Sequence, residues 1–219
     1  MDEVLLIDKP AGMTSFGVVA RVRRVLSQQA GHKVRVGHTG TLDPFATGLM
    51  VVLTGKQTKN AEKYSKLDKV YEATIKLGET STTGDPEGEI STAGSSTRPT
   101  HQAVLDALER FTGQIVQKPP AFSAIKVGGE RAYKLARAGK KVDIPSRKVT
   151  IYSLKLSDYS YPYLKIVTHV SSGTYIRTLA EDIGVELGTG AYTTTLRRTR
   201  VGNFDIKNAQ VLTDMGIKN

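Results

Sequence analysis

The sequence predicts an α+β fold built on a central mixed, mostly antiparallel sheet, and three features of the residue pattern carry that reading. "KVYEATIKLG" alternates, with Tyr71, Ala73, Ile75 and Leu77 on one face and Glu72, Thr74 and Lys76 on the other, the period of a half-buried strand. "GLMVVLTG" is a continuous apolar run between glycines, as in a strand buried on both faces. Segments with helical spacing separate the strands without a regular βαβ beat.

The elements follow in order. Val4 to Ile7 reads as a short strand, and the turn "DKPAGMTS" leads into a helix from about Ser15, capped by Thr14 or Ser15. Val18, Val19, Val22 and Leu26 form its inner stripe, leaving Arg21 and Arg24 for solvent or a partner. The strand within residues 48–55 and the alternating strand come next. "GETSTTGDPEGEISTAGSSTRPT" is dense in Gly, Ser, Thr and Pro, which predicts a long surface connection with turns at Asp85-Pro86 and Glu87-Gly88. A helix capped by Thr100 follows, with Val104, Leu105, Leu108 and Phe111 facing inward and Gly113 as its stop. Strands near Thr150 to Leu156 and Leu164 to Val170 precede a helix marked by Ile176, Leu179, Ile183 and Leu187 and closed by Gly188. No internal repeat or heptad run is present.

At 219 residues, with 39% hydrophobic and 24% charged residues, the chain is apolar enough to fold around a core. Thirty-one Lys and Arg against 21 Asp and Glu leave a formal charge of +10, the balance of a protein that meets a polyanion. Residues 118–148 hold nine of those cations and two acids, a net +7, and interleave them with Phe122, Ile125, Tyr133 and Leu135. A charge run is usually a solvated face, but this mixture of cations and aromatics fits a nucleic-acid-binding loop. The absence of cysteine excludes disulfides and thiolate metal sites. His32, His38, His101 and His169 lack metal-ligand spacing with carboxylates, so no metal is expected. The N-terminus carries acid where a signal peptide needs base, and no apolar run approaches the ~20 residues of a membrane span. A cytoplasmic protein with no membrane partner is expected.

The chemistry concentrates in "GHTGTLDPFATGLMVV", residues 37–52. A P-loop fails there, because six residues separate Gly48 from Gly55 and Gln57 follows Lys56; a dinucleotide fingerprint is also absent. What remains is one carboxylate, Asp43, before Pro44 in a loop rich in backbone donors. An isolated Asp-Pro pair would be a turn.

The match is longer than that pair. "KVRVGHTGTLDPFATGLMVVLTGKQTK", with "DKPAGMTS" before it and "DKVYEATIKLGETSTTGDPEG" and "SSGTYIRTLAEDIGVELGTGAYTTTLRRTRVG" after it, resembles the TruB family of tRNA pseudouridine synthases, in four ordered blocks from Asp8 to Gly202. The resemblance implies a pseudouridine synthase fold and cofactor-free isomerisation of uridine on a flipped base, at position 55 of the tRNA T-arm in tRNA numbering. Asp43 matches the family's essential aspartate, a group able to attack sugar or base or to take a proton from C2′. Arg177 matches an arginine expected to pair with it. Tyr71 matches the tyrosine that packs on the target ring, Tyr175 and Leu196 match polar and apolar walls of the base pocket, and His38 matches a histidine near the flipped nucleotide. Lys9 is expected to support the site from the neighbouring loop.

Residues 118–148 lie where the family carries its inserted thumb, and Lys126, Arg131, Lys134, Arg137, Lys140 and Lys141 are the expected RNA contacts. The partner implied is the T-arm stem-loop of tRNA, with no obligate protein partner. After "LRRTRVG" many family members continue into a small C-terminal RNA-binding domain. Here only "FDIKNAQVLTDMGIKN" follows, so the expectation is a single catalytic domain over 1–219 without that appendage. The long thumb also argues against a guide-RNA-dependent relative. A noncatalytic RNA-binding or tRNA-folding protein on the same scaffold is the competing class; intact Asp43, Tyr71 and Arg177 favour the enzyme.

Overall fold

A computed structural model describes residues 2–94, 97–140 and 142–217. The chain divides into two compact units, Met1–Glu72 with Leu196–Asn219, and Ala73–Thr195. In order the elements are β1 (Val4–Lys9), α1 (Ser15–Ala30), β2 (Val36–His38), β3 (Thr47–Thr54), α2 (Ala61–Ser65), β4 (Lys69–Leu77), β5 (Glu79–Ser81), β6 (Ile90–Thr92), α3 (His101–Arg110) and β7 (Gly113–Gln117). They continue with β8 (Lys126–Val127), β9 (Glu130–Arg131), α4 (Ala132–Arg137), β10 (Arg147–Ser160), β11 (Tyr163–Val170), α5 (Ile176–Glu186), β12 (Ala191–Val201), β13 (Phe204–Asp205) and β14 (Gln210–Val211). The α+β class is as the sequence predicts.

In the first unit β3 is the central strand. β1 runs antiparallel along one edge, from Val4 opposite Leu53 to Lys9 opposite Gly48. On its other edge β3 takes β12 in parallel at Thr47 and Gly48, and β2 antiparallel from Val52 to Thr54. β14 adds to β1 in parallel, so the sheet is mixed. Leu49, Val51 and Leu53 point into a cluster with Val201, Tyr64, Leu67 and Phe204, while Met50 and Val52 are buried on the opposite face. Burial on both faces is why this strand reads as a continuous apolar run.

Gly48 has φ +106°, and a Cβ there would stand 2.3 Å from the Arg198 carbonyl oxygen. Only glycine lets β12 approach so closely. The Thr14 hydroxyl accepts from the Gly17 N–H at 2.9 Å and starts α1, whose buried residues are Ser15, Val18, Val19, Val22 and Leu26. These four aliphatics form one buried stripe, and α1 holds its place by packing that stripe against the rest of the unit.

In the second unit β7, β10 and β11 form an antiparallel sheet, with Val149 opposite Ile115 and Leu154 opposite Thr168. α3 buries Val104, Ala107 and Leu108, while Leu105 is turned outward and Ala107 takes the inner position expected of it. A helix of 3.6 residues per turn keeps only three of four such neighbours on one stripe. The stretch expected as a plain surface connection contains the hairpin β5–β6, with Ser81 opposite Ile90, and it buries Asp85. The basic segment is also built: β8 and β9 pair through Lys126 and Arg131, and α4 follows.

Candidate active site

Asp43 sits in the loop between β2 and β3, and both chain neighbours of that residue are tied down. The Ser15 hydroxyl accepts from the Leu42 N–H at 2.8 Å and donates to the Leu42 carbonyl at 2.9 Å. The Pro44 carbonyl accepts from the Gly12 N–H at 2.8 Å and from the Lys9 ammonium at 3.2 Å. Lys9 is fully buried, and the same ammonium donates to the carbonyls of Pro10 at 2.8 Å and Met13 at 2.7 Å. Arg198, also buried, donates to the carbonyls of Gly40 and Leu49 at 3.1 and 2.7 Å. The carbonyls of Pro10, Met13, Gly40 and Pro44 lie in irregular chain with no ladder to satisfy them, and these two cations take that place.

The remaining expected residues of this unit lie on its strands. His38 ends β2 and is half-buried; Tyr71 is buried on the inner face of β4; Leu196 is buried on β12. β4 and β12 are neighbours here, the Thr199 hydroxyl reaching the Val70 carbonyl at 3.4 Å. Two residues before Tyr71, the buried Lys69 donates to the carbonyls of Ser65, at 2.7 Å, and Leu67. Burial, with the charge of Arg198 adding to it, pulls its pKa down to about 8 against the opposing charge of Asp68. Asp8 receives a two-pronged ion pair from Arg197, at 2.7 and 3.2 Å.

The second unit holds Arg177 and Tyr175 at the start of α5. The Arg177 guanidinium is 3% exposed and pairs with Asp85 at 3.1 Å. It also donates to the carbonyls of Thr83 at 2.6 Å and Phe122 at 2.8 Å. Asp85 accepts in turn from the Thr83 hydroxyl at 2.6 Å and the Glu87 N–H at 3.0 Å. This is an Asx turn folded around a buried ion pair, where the sequence alone predicts an exposed Asp-Pro turn. The main chain of Tyr175 is bracketed by the buried Gln117, whose amide donates to its carbonyl at 3.0 Å and accepts from its N–H at 2.7 Å. The Arg147 guanidinium lies 5.1 Å from the centre of the Tyr175 ring.

Lys126, Arg131, Lys134, Arg137 and Lys140 are exposed, and Lys141 lies outside the described residues. Phe122, Ile125, Tyr133 and Leu135 are half-buried, so the apolar residues of the segment support it from beneath while its cations face outward. The Tyr133 ring is 5.8 Å from the Arg137 guanidinium, and the Tyr133 N–H donates to the Ser123 carbonyl at 3.0 Å.

Sequence reasoning gave Ser15 only the part of a candidate helix cap, Asp85 only that of a surface turn, and Gln117 no role. Ser15 and Asp85 stand inside two of the family blocks, which is a signal for them; the Gln117 side chain acts on main-chain atoms and leaves no pattern in residue types. Among the described residues no group of three or more His, Cys, Asp or Glu is placed to hold a metal ion.

Two family models match the chain: the TruB family pseudouridylate synthase N-terminal domain over residues 23–176, and the tRNA pseudouridylate synthase B C-terminal domain over residues 177–217. The tRNA pseudouridine synthase B of Thermobifida fusca (strain YX) is 45% identical over 98% of this chain and 74% of its own length. That of Phocaeicola vulgatus is 45% identical over 94% of this chain and 88% of its own. Among solved structures, a chain of a Cbf5-Nop10-Gar1 complex superposes with a TM-score of 0.74 at 28% identity, and one of an archaeal box H/ACA sRNP Nop10-Cbf5 complex with 0.70 at 25%. They cover 96% and 97% of this chain, which spans about half, 52%, of each of theirs. The chain belongs to the TruB family of pseudouridylate synthases, and it is an isomerase.

Proposed function

We propose that this chain converts uridine to pseudouridine at position 55 in the T-arm stem-loop of tRNA, with Asp43 as the essential carboxylate, Arg177 as the catalytic cation and no cofactor. Uridine isomerisation in tRNA rests on family membership and on relatives named tRNA pseudouridine synthase B. The position within tRNA and the aspartate route are the finer part of the proposal. The observation that carries the aspartate is the fixing of Leu42 and Pro44 on either side of it, since a carboxylate that reacts with one sugar or base atom must be held in place before the substrate arrives.

The reaction balances without redox chemistry. The N1–C1′ bond breaks, the uracil turns, C5 bonds to C1′, the proton leaves C5 and N1 gains one. The carboxylate attacks the sugar or base, or takes the C2′ proton, while the base is out of its stack. Tyr71 offers an aromatic face for the ring, Leu196 and Tyr175 its walls, and His38 a polar plane beside the nucleotide. The exposed cations of 118–148 hold the hairpin through its phosphates. The protein is expected to act alone and in the cytoplasm; among the described residues no helix is long and apolar enough to cross a membrane.

The test is incubation of the purified protein with an unmodified T-arm hairpin, followed by analysis for pseudouridine. Asp43→Asn should abolish product and leave most of the RNA binding. Full activity in that variant refutes the assignment, and binding without product by the wild-type protein selects a noncatalytic RNA-binding role.

A further inference from the structure

α5 carries a half-buried carboxyl, that of Glu181, which the proposed reaction does not use. Glu181 lies one turn after Arg177, on the same side of the helix. It is tucked against the turn that holds Asp85: Gly84 has φ +72°, and a Cβ built there would meet a Glu181 carboxyl oxygen at 2.6 Å and the Arg177 Cβ at 3.4 Å. The main chain on the far side of this contact is fixed, since the Gly84 carbonyl accepts from the Thr193 N–H at 3.1 Å and the Thr83 carbonyl accepts from Arg177. The Glu181 carboxyl therefore lies against Gly84 in the Thr83–Asp85 turn, beside a guanidinium paired with Asp85.

We propose that Glu181 is a positioning residue for Arg177: it seats the turn that presents Asp85, and its ionisation sets how much of the Arg177 charge is left for the reaction. The inference rests on the reading of Arg177 as the catalytic cation. Ionisation of Glu181 adds a negative charge beside the guanidinium, and the positive potential that the guanidinium offers elsewhere falls.

The charges that face Glu181 are Arg177 and Asp182 on its own helix and Asp85 on the turn. On α3, which packs on α5, Arg110 is paired to Glu186, and the root of the basic segment brings main-chain carbonyls, those of Lys118 and Phe122. Burial is the largest influence on Glu181 and raises its carboxyl to about 7; Asp182 and Asp85 push the same way and Arg177 opposes them. The group thus changes charge near neutral pH.

The experiment is the single-turnover rate of pseudouridine formation on the T-arm hairpin from about pH 5.5 to about pH 8.5, for wild type and Glu181→Gln, with hairpin affinity measured alongside. The wild-type rate should fall about threefold to tenfold as pH rises through about 7, the effect of one charge acting through an effective dielectric of about 20. Glu181→Gln, fixed in the neutral form, should keep the wild-type low-pH rate across the range, with unchanged affinity. A variant that keeps the wild-type profile, or that loses rate equally at every pH, overturns the proposal. So does a ¹³C carboxyl titration of the wild-type protein in which no glutamate titrates above about pH 6, a measurement that does not depend on the variant folding. A wild-type protein that makes no pseudouridine at any pH overturns the reading of the reaction instead.

Discussion

Replacing Lys9 with methionine keeps the aliphatic stem and removes the ammonium that clamps the loops on both sides of the chain's apolar centre. That ammonium donates to the carbonyls of Pro10, Met13 and Pro44 at 2.8, 2.7 and 3.2 Å from a fully buried side chain. Pro44 keeps the Gly12 N–H as a donor at 2.8 Å, so the loss falls on Pro10 and Met13. A buried carbonyl that loses its donor costs ~1–3 kcal/mol, and the variant is relieved of burying a charge, so a net loss of ~2–4 kcal/mol is expected. At ~2–4 °C per kcal/mol for a chain of this size, the melting temperature should drop by ~4–16 °C. Differential scanning calorimetry measures this directly. The loop bearing Asp43 loses one of its two anchors at Pro44, so the single-turnover rate should fall at least about tenfold while hairpin affinity stays within about threefold. Lys9→Arg should not rescue, because a planar fork does not fit a site shaped around one compact point charge. A Lys9→Met protein that melts within about 2 °C of wild type and retains its rate would refute the clamp.

Two further outcomes test other parts of the structure. Neutralising Lys134, Arg137, Lys140 and Lys141 to glutamine should weaken hairpin binding and flatten its dependence on salt, because each lost phosphate contact removes released counterions; an unchanged salt slope in a filter-binding series would make the segment a merely solvated face. Glu181 also links stability to pH. Its carboxyl is raised from 4.5 to about 7 in the folded chain, so below about pH 4.5 both states hold the proton and nothing is lost, whereas between about 4.5 and 7 the unfolded chain ionises first and stability declines. The loss persists above about pH 7. At ~1.36 kcal/mol per tenfold change in proton affinity this is about 3 kcal/mol, which screening of a partly exposed group trims to ~1–2 kcal/mol. Glu181→Gln should therefore melt higher than wild type at pH 8 and lose that advantage as the pH approaches about 4.5; a lower melting point at pH 8 would contradict the sign.

Strands and helix starts were legible because their signals are local. Alternation over Lys69–Leu77, the apolar run of β3 and the Thr14 and Thr100 caps each follow from residue type and spacing, and each appears in the structure. Long-range polar contacts were not legible. Asp85 and Arg177 are 92 positions apart, and an Asp-Pro pair among glycines has the composition of a surface turn whether or not a guanidinium closes over it. Gln117 is similar: at the end of a strand it reads as an ordinary polar residue, and only the return of the chain at Tyr175 gives its amide two main-chain partners. Leu105 shows the opposite error, an apolar residue at plausible spacing whose inner place belongs to Ala107. Resemblance supplied Asp43, His38, Tyr71 and Leu196 as site residues, where periodicity alone would leave Tyr71 and Leu196 as core.

The charge balance has a physical consequence for how this chain meets RNA. A formal +10 invites every cation to be counted toward a polyanion. Yet Lys9, Lys69, Arg177 and Arg198 are each less than a tenth exposed, with Asp85 the one buried acid among the described residues. All four donate to main-chain carbonyls, most of them at irregular chain or at an element's end: residues 10, 13 and 44 for Lys9, 65 and 67 for Lys69, 83 and 122 for Arg177, and 40 for Arg198, which also reaches Leu49 on β3. Donor-only side chains suit that task because glycine- and proline-rich loops present carbonyls without a ladder to receive them. Buried cations of this kind are costly to desolvate, so what they add is one fixed loop conformation more than net stability. Part of the positive charge thus serves the geometry of the loops, and hairpin affinity should follow the exposed cations of residues 118–148 much more closely than the total.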